Sequence, residues 1–524
     1  MGKFLRQNFT LLCILAAALI FRFALIDHVP GGLFPDEAAN GLDINSILNG
    51  DVHPFYERGN GREALFFYLL AGSVALFGRG PWQHHIVSAG LGFFEVLAAY
   101  FLTKRLFGKN TALLAAFLMA VSSYAVTVSR TAFRANTVPL LTSLTILFLV
   151  KTYQEKAPRK RLTSALLAGI CFALGFYTYT SFRMMVPLLL VLGAVVAVAN
   201  RDRLRGLWEE YGRVKAAGLL AFVITIFPLA YYFLRHPGSF VGRAGQVSIF
   251  SPSLNHGDVL GTFWLVLKAT LMSFFTSGDL NWRHNVSGFP FLDGFVSPFF
   301  AAGAIVFSLV ACKALVDALN KRLEPRTFYQ TAVAGWFWAM LVPEVSTAEG
   351  IPHGLRLIGV IPAIFIMSAW AAMWLWKKIK NNFSEDWGVA MAVIFLSSIL
   401  SYNFFLYFGV AASSPEYYYA FRSDLTTVSR YLDERNQKEK TFLSLDEFSV
   451  QTVDYLTTEY NRPYVLLDPA HTFEVTLKPG DQVVFTMSTI YDRLKFLEHH
   501  PTVKLTRTEK NHFGQIIMLV YEQP

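Results

Sequence analysis

Asp36 and Glu37 stand side by side shortly after the first long apolar run, in Phe34-Pro35-Asp36-Glu37-Ala38-Ala39-Asn40-Gly41-Leu42-Asp43. Neighbouring carboxyls tend to split their pKa values, so one stays ionised as a general base while the other binds or orients. A carboxylate close to a bilayer is costly unless it is paired or used. The same stretch runs on to His53-Pro54-Phe55-Tyr56-Glu57-Arg58-Gly59-Asn60-Gly61-Arg62-Glu63, which adds Arg58 and Arg62. Further arginines follow at Arg130, Arg134 and Arg356, each between apolar runs. A planar guanidinium grips a phosphate bidentately, which a lysine does not. Each of these groups also has a structural use. Asp and Glu suit the start of a helix. Arg58 and Arg62, four apart, can pair with Glu57 and Glu63 on a solvated face. Arg130 and Arg134 can snorkel to lipid headgroups.

The elements that carry these residues are apolar. The chain has 524 residues, of which 53% are hydrophobic and 16% charged, with 48 Phe, and its mean hydropathy is +0.39. A soluble domain carries about 25% charge. Apolar runs near bilayer length recur throughout, so the chain reads as a polytopic membrane protein, and collagen, disorder, coiled coil and a disulfide-stapled secreted module are excluded. The net charge of +9 is no film for nucleic acid, because Lys and Arg sit between the apolar runs. Cys13, Cys171 and Cys312 all lie in apolar runs, with no CxxC or Cys/His cluster. No zinc motif or disulfide framework is therefore readable.

Apolar runs fall near residues 9–26, 64–77, 85–103, 111–128, 137–150, 163–180, 184–199, 216–234, 259–276, 295–316, 328–343, 355–376 and 388–410. Run 64–77 is too short for about 30 Å of hydrocarbon. Run 259–276 contains Lys268 and ends in Thr276-Ser277-Gly278-Asp279. Laying both along the surface as interfacial helices leaves about 11 alternating transmembrane helices. The first is expected to be a retained signal anchor rather than a cleaved signal peptide, with the N-terminus cytoplasmic. Lys3 and Arg6 and the basic clusters Lys104–Lys109, Lys151–Arg161, Arg201–Lys215, Lys313–Arg326 and Lys377–Lys380 then collect on the inner side. The outer loops hold Arg58, Arg62, Arg79, Arg130, Arg134, Arg183, Arg235, Arg243, Arg283 and Arg356, with Lys268 as their one lysine. A loop that needs only solubility has no reason to prefer Arg, whereas a phosphate site does.

From Pro415 the apolar runs shorten and charges interleave. Helix-like segments (Tyr417–Asn436, Val450–Tyr460, Tyr491–His499) alternate with strand-like ones (Thr441–Leu445, Tyr464–Leu467, Gln482–Thr486, Gln515–Tyr521). The expected division is a membrane domain over residues 1–412, whose first outer loop, 27–84, carries the acid pair, and a small extracytoplasmic α/β domain over 413–524.

The first 160 residues resemble the GT-C membrane glycosyltransferases, in the branch of the protein O-mannosyltransferases and the lipid A aminoarabinose transferases (families 39 and 83). The resemblance rests on Asp36-Glu37 after the first span, and on Gly61-Arg62-Glu63-Ala64-Leu65-Phe66-Phe67-Tyr68-Leu69. It continues in Lys104-Arg105-Leu106-Phe107-Gly108 and in Ser129-Arg130-Thr131-Ala132-Phe133-Arg134. Later spans match in layout and in an outer turn bearing Pro, His and Arg. No loop is long enough for the lumenal MIR domains of the protein mannosyltransferases. The resemblance implies an inverting transfer of a sugar from a polyprenyl-phosphate carrier to an acceptor hydroxyl of a lipid, glycan or protein, outside the cytoplasm and among membrane lipids. By position Asp36 would be the base. Glu37 would orient the acceptor or Asp36, or ligate a divalent metal. Arg58, Arg62, Arg130, Arg134 and Arg356 would hold the departing lipid phosphate. Arg283 and His284, in Gly278-Asp279-Leu280-Asn281-Trp282-Arg283-His284-Asn285, and His353, in Glu349-Gly350-Ile351-Pro352-His353-Gly354-Leu355-Arg356, are further candidates for substrate contact; His353 also reads as a structural histidine.

Two other classes remain open. A transporter or flippase of a lipid-linked or anionic substrate places ionisable residues within its spans. Here Glu95 is one of few, and the charges cluster in the loops. A mere anchor for the C-terminal domain leaves the many spans unexplained.

Overall fold

The computed structural model describes residues 2–59, 61–241, 247–434, 439–457 and 464–524. Arg243 and the expected helix ends at Asn436 and Tyr460 lie outside the described residues. The chain forms two compact units. One comprises Met1–Ala24, His53–Phe66 and Ile86–Ala411; the other comprises Leu25–Val52, Phe67–His85 and Ala412–Pro524.

The first ten helices are α1 (Gly2–Phe23), α2 (Pro35–Leu48), α3 (Leu65–Phe77), α4 (Pro81–Phe107), α5 (Lys109–Val121), α6 (Ser123–Ser129), α7 (Thr137–Gln154), α8 (Pro158–Gly175), α9 (Met185–Ala199) and α10 (Leu204–Arg235). Longer helices follow at Val259–Met272, Ser297–Leu319, Pro325–Val345, Ile361–Ile379 and Glu385–Phe404. Among the described residues seven helices are long and apolar enough to cross a membrane, and an eighth forms if α5 and α6, bent by 62°, count as one span. The expectation of about 11 spans also counted runs 9–26, 163–180 and 328–343. Those segments are helical, but their unbroken apolar length is shorter. Helix α8 opens on Pro158-Arg159-Lys160-Arg161, and Pro325–Val345 carries Arg326, Gln330 and Glu344. The two runs read as too weak to span are indeed short helices, α3 and Val259–Met272.

Small residues let the membrane helices approach. A side chain at Gly169 of α8 would meet the Gly218 carbonyl oxygen of α10 at 2.0 Å, and one at Gly303 would meet the Met367 carbonyl oxygen at 2.4 Å. Close backbone contact of this kind drives helix association where lipid removes the hydrophobic advantage. The span 358–379 is 72% buried and forms the centre, whereas 201–235 is only 11% buried and exposes Leu219, Ile224, Phe227 and Leu234. Such a surface suits lipid, not water.

The bend between α5 and α6 frees backbone groups that a bilayer cannot satisfy. Arg22 of α1 supplies the donors. Its guanidinium reaches the carbonyls of Ala120 at 2.8 Å and Met119 at 3.2 Å. The Ser123 amide donates to the Asn403 side chain at 2.8 Å. Arg22 is fully buried, as Glu95 nearly is, and Gly92 makes room, since a side chain there would meet Arg22 Nε at 2.9 Å.

The second unit contains a five-stranded sheet in the order β4-β3-β5-β7-β6. Its strands are β3 (Thr441–Ser444), β4 (Val465–Leu467), β5 (Gln482–Thr486), β6 (Lys504–Lys510) and β7 (Ile516–Glu522); β1 (Phe55–Tyr56) and β2 (Arg62–Glu63) form a separate hairpin in the first unit. Strand β3 runs parallel to β4 and β5, while β7 is antiparallel to β5 and β6. Alternation on β5 sends Val484 to one layer with Leu425, Val428 and Leu432 of helix Ser423–Glu434. Val483 and Phe485 go to the other, with Phe496. The sheet unit takes in the acid pair as well. Helix α2 packs on helix Val450–Leu456, and Gly41 accommodates the Tyr455 ring, which a side chain there would meet at 2.5 Å. The Ser423 hydroxyl donates to the Pro30 carbonyl at 2.8 Å, and that of Thr452 to Leu33 at 3.1 Å. The division at 412/413 read from the sequence puts Asp36 with the spans; the packing of α2 groups it with 412–524.

Candidate functional site

Helix α2 sets the geometry of the acid pair. Phe34 is its extended N-cap residue, Pro35 opens the first turn, and Asp36 and Glu37 follow. Consecutive helical side chains diverge by about 100°, so the two carboxyls cannot share an environment. Asp36 is exposed, whereas Glu37 is wholly buried. One Glu37 oxygen accepts the Phe34 amide at 2.9 Å. The other lies 3.4 Å from Nε2 of His85, itself fully buried. The neighbouring His84 meets the Tyr455 hydroxyl at 2.7 Å through its own Nε2. Glu37 is therefore built into the helix start, and Asp36 presents its carboxyl to the outside. Sequence reasoning did not single out His84 and His85. The His-His pair at the start of a candidate span was the available signal.

In the other unit three segments meet: the turn Ser129–Arg134, the loop 279–284 and the turn 347–356. Thr131 donates its hydroxyl to the Arg283 carbonyl at 2.9 Å, and the Phe133 ring lies against His284. Tyr124 donates to the Gly354 carbonyl at 2.5 Å. Arg283, His284, His353 and Arg356 lie in one neighbourhood here, linked by stacking and by charge. Asp279 ties the loops together, accepting from the Gly354 amide and pairing with His284 Nδ1 at 2.9 Å. His284 stacks on His353 with ring centroids 4.4 Å apart. Burial lowers the pKa of His284 against the pull of Asp279. It lowers that of His353 further, helped by the charges of His284, Arg356 and Arg283. Both imidazoles are thus held neutral, the form that ligates metals.

The arginines differ in their surroundings. Arg130 is fully buried, so it does not snorkel; it donates to the Phe21 carbonyl at 3.1 Å and lies over the rings of Tyr407 and Phe408. Arg134 pairs with the buried Glu63 at 3.0 Å and reaches the Gly61 carbonyl at 3.2 Å. Arg183, also near Glu63 at 3.9 Å, covers the Phe240 ring. Arg356 binds the Thr347 hydroxyl, the Glu349 carbonyl and, at 3.5 Å, the Glu349 carboxylate. Arg62 sits on β2 beside Gly59, and Arg58 is exposed. Glu57, between them and Phe55, accepts from Tyr232 at 2.6 Å and Ser239 at 2.7 Å, which hold its carboxyl below the usual range. Asp36 and Glu37 belong to one unit, and all five candidate phosphate-binding arginines to the other.

Residues 63–232 match the family model described as dolichyl-phosphate-mannose-protein mannosyltransferase. No curated protein matches the chain in sequence. Among solved structures the chain is similar to ArnT from Cupriavidus metallidurans bound to undecaprenyl phosphate, with a TM-score of 0.60 and 13% identity over 98% of each chain. It is also similar to the oligosaccharyltransferase AglB from Archaeoglobus fulgidus, in complex with an inhibitory peptide and a dolichol-phosphate. That match has a TM-score of 0.51 and 13% identity, over 99% of this chain and 75% of that one. The chain thus has the ArnT/AglB-like GT-C fold, mostly helical, and carries a small C-terminal sheet domain.

Proposed function

We propose that this chain is a GT-C membrane glycosyltransferase that moves a sugar from a polyprenyl phosphate to an acceptor hydroxyl with inversion, on the non-cytoplasmic face. The observation that carries the reading is the split of the acid pair: Asp36 exposed at the start of α2, Glu37 buried and fixed beneath it. An attacking hydroxyl must lose its proton to a base within hydrogen-bond reach. Asp36 is that base. Glu37 positions it by fastening the first turn.

The leaving group is a lipid phosphate that gains charge in the transition state, where fixed donors contribute several kcal/mol. Arg58, Arg62, Arg130, Arg134 and Arg356 are the candidate donors; Arg58 is exposed, Arg130 is fully buried and Arg134 is paired with Glu63. The family model's description and the polyprenyl phosphates named for the ArnT and AglB structures support the choice of carrier. So does an apolar cavity of about 480 Å³ lined by Phe176, Leu229, Phe233, Leu234, Pro237 and Phe240, with Arg183 as its charged member. An isoprenoid chain suits such a lining and an arginine suits the phosphate at its end.

The test is transfer from a panel of labelled polyprenyl-phosphate sugars by purified protein in lipid. Label moving to an acceptor supports the reading and names the sugar. Donor carried across a sealed vesicle without transfer to any acceptor favours the flippase instead.

A further inference from the structure

We propose that Asp279, His284 and His353 form a binding site for one divalent transition metal ion of the zinc class, separate from Glu37. Each residue offers one ligand atom, and these atoms all lie within 4.8 Å of one another. Ligands on a tetrahedral ion with bonds near 2.1 Å stand about 3.4 Å apart, so binding asks for a contraction of at most about 1.4 Å. Two imidazoles and one carboxylate select zinc, cobalt, iron or nickel over magnesium and calcium, which prefer oxygen ligands. Three protein ligands leave a fourth position for water or a phosphate oxygen.

Several features of the cluster fit an ion better than a plain hydrogen-bonded clamp. His353 Nδ1 is buried and has no hydrogen-bond partner. A buried polar atom left in this state is costly, and a metal or its water removes the cost. One oxygen of the fully buried Glu344 is likewise without a partner, while its other oxygen accepts the His353 amide at 2.8 Å. Glu344 therefore fixes the backbone of one ligand. Asp279 is held in place by the amides of Asn281 at 2.7 Å and Gly354 at 2.8 Å. This is the kind of outer support that orients metal ligands. Arg283 and Arg356 act on the same histidines electrostatically, which favours an anion in the open position. The inference stands apart from the sugar-transfer reading, because it concerns binding and not turnover.

The test uses untagged full-length protein, freed of metal with a chelator and titrated with Co²⁺. The visible d–d absorption reports both stoichiometry and geometry. One equivalent bound per chain, displaced by Zn²⁺, is the expected result. His353→Gln and His284→Ala should each weaken it by more than about 100-fold, while Glu37→Gln leaves it unchanged. His353→Gln is the safer variant, because Nδ1 of the wild-type ring makes no hydrogen bond to lose. Melting temperatures of the metal-free proteins identify any variant that has failed to fold. Absence of stoichiometric Co²⁺ binding in folded wild type, or full binding in folded His353→Gln, would overturn the proposal. Loss of binding in folded Glu37→Gln would also overturn it, by moving the ion to the acid pair.

Discussion

Adjacent acids on a helix are forced into different surroundings, and α2 uses this to make two unlike carboxyls from Asp36 and Glu37. The consequences of replacing them should differ accordingly. Asp36→Asn keeps the size of an exposed side chain, so its stability should stay within about 0.5 kcal/mol of wild type. Its turnover should fall by at least about 100-fold, the usual value of a general base. Glu37→Ala removes the acceptor of the Phe34 amide and leaves His85 without its carboxylate. A loss of about 1–3 kcal/mol in denaturant unfolding is expected, with weaker activity as its consequence. A Glu37→Ala protein as stable as wild type would show that the buried contacts do not fasten the helix.

At the scale of elements, the break between α5 and α6 depends on one side chain from α1. Arg22→Met should leave the carbonyls of Met119 and Ala120 unsatisfied, at a cost of about 1–3 kcal/mol for each. The melting temperature in detergent reads this directly. Gly169→Leu should separate α8 from α10, with a similar loss, because the Gly218 backbone occupies the space. The apolar runs, and the shortness of helices α3 and Val259–Met272, were legible because hydropathy is a local property. Strands β3, β4, β5 and β7 were legible for the same reason, through their apolar content. Strand β6, Lys504-Leu505-Thr506-Arg507-Thr508-Glu509-Lys510, was not. It lies at the sheet edge with an exposed surface, where charged residues guard against aggregation and hide the pattern. The partners of Arg22, Arg134 and Glu37 were also out of reach, since each lies far along the chain or depends on how helices pack.

At the scale of the molecule, residues 25–52, 67–85 and 412–524 make one unit, so the C-terminal segment is a support for α2 and not an appendage. Tyr455 fills the space that Gly41 leaves and hydrogen-bonds His84. Removing residues 413–524 should therefore expose the 27–52 segment to protease and abolish transfer, although no candidate catalytic residue is deleted. Intact protection of that segment in the truncated protein would contradict this. The helical membrane fold was legible in the sequence; the buried histidines beneath Glu37 and the Asp279 cluster emerged only from folding, because their members stand far apart in the chain. Single-turnover transfer with donor binding measured in parallel, wild type against Asp36→Asn, decides whether Asp36 is the base of a lipid-phosphate-dependent sugar transfer. Equal donor affinity and transfer by wild type alone are expected. Transfer at an equal rate by both proteins would contradict that role for Asp36.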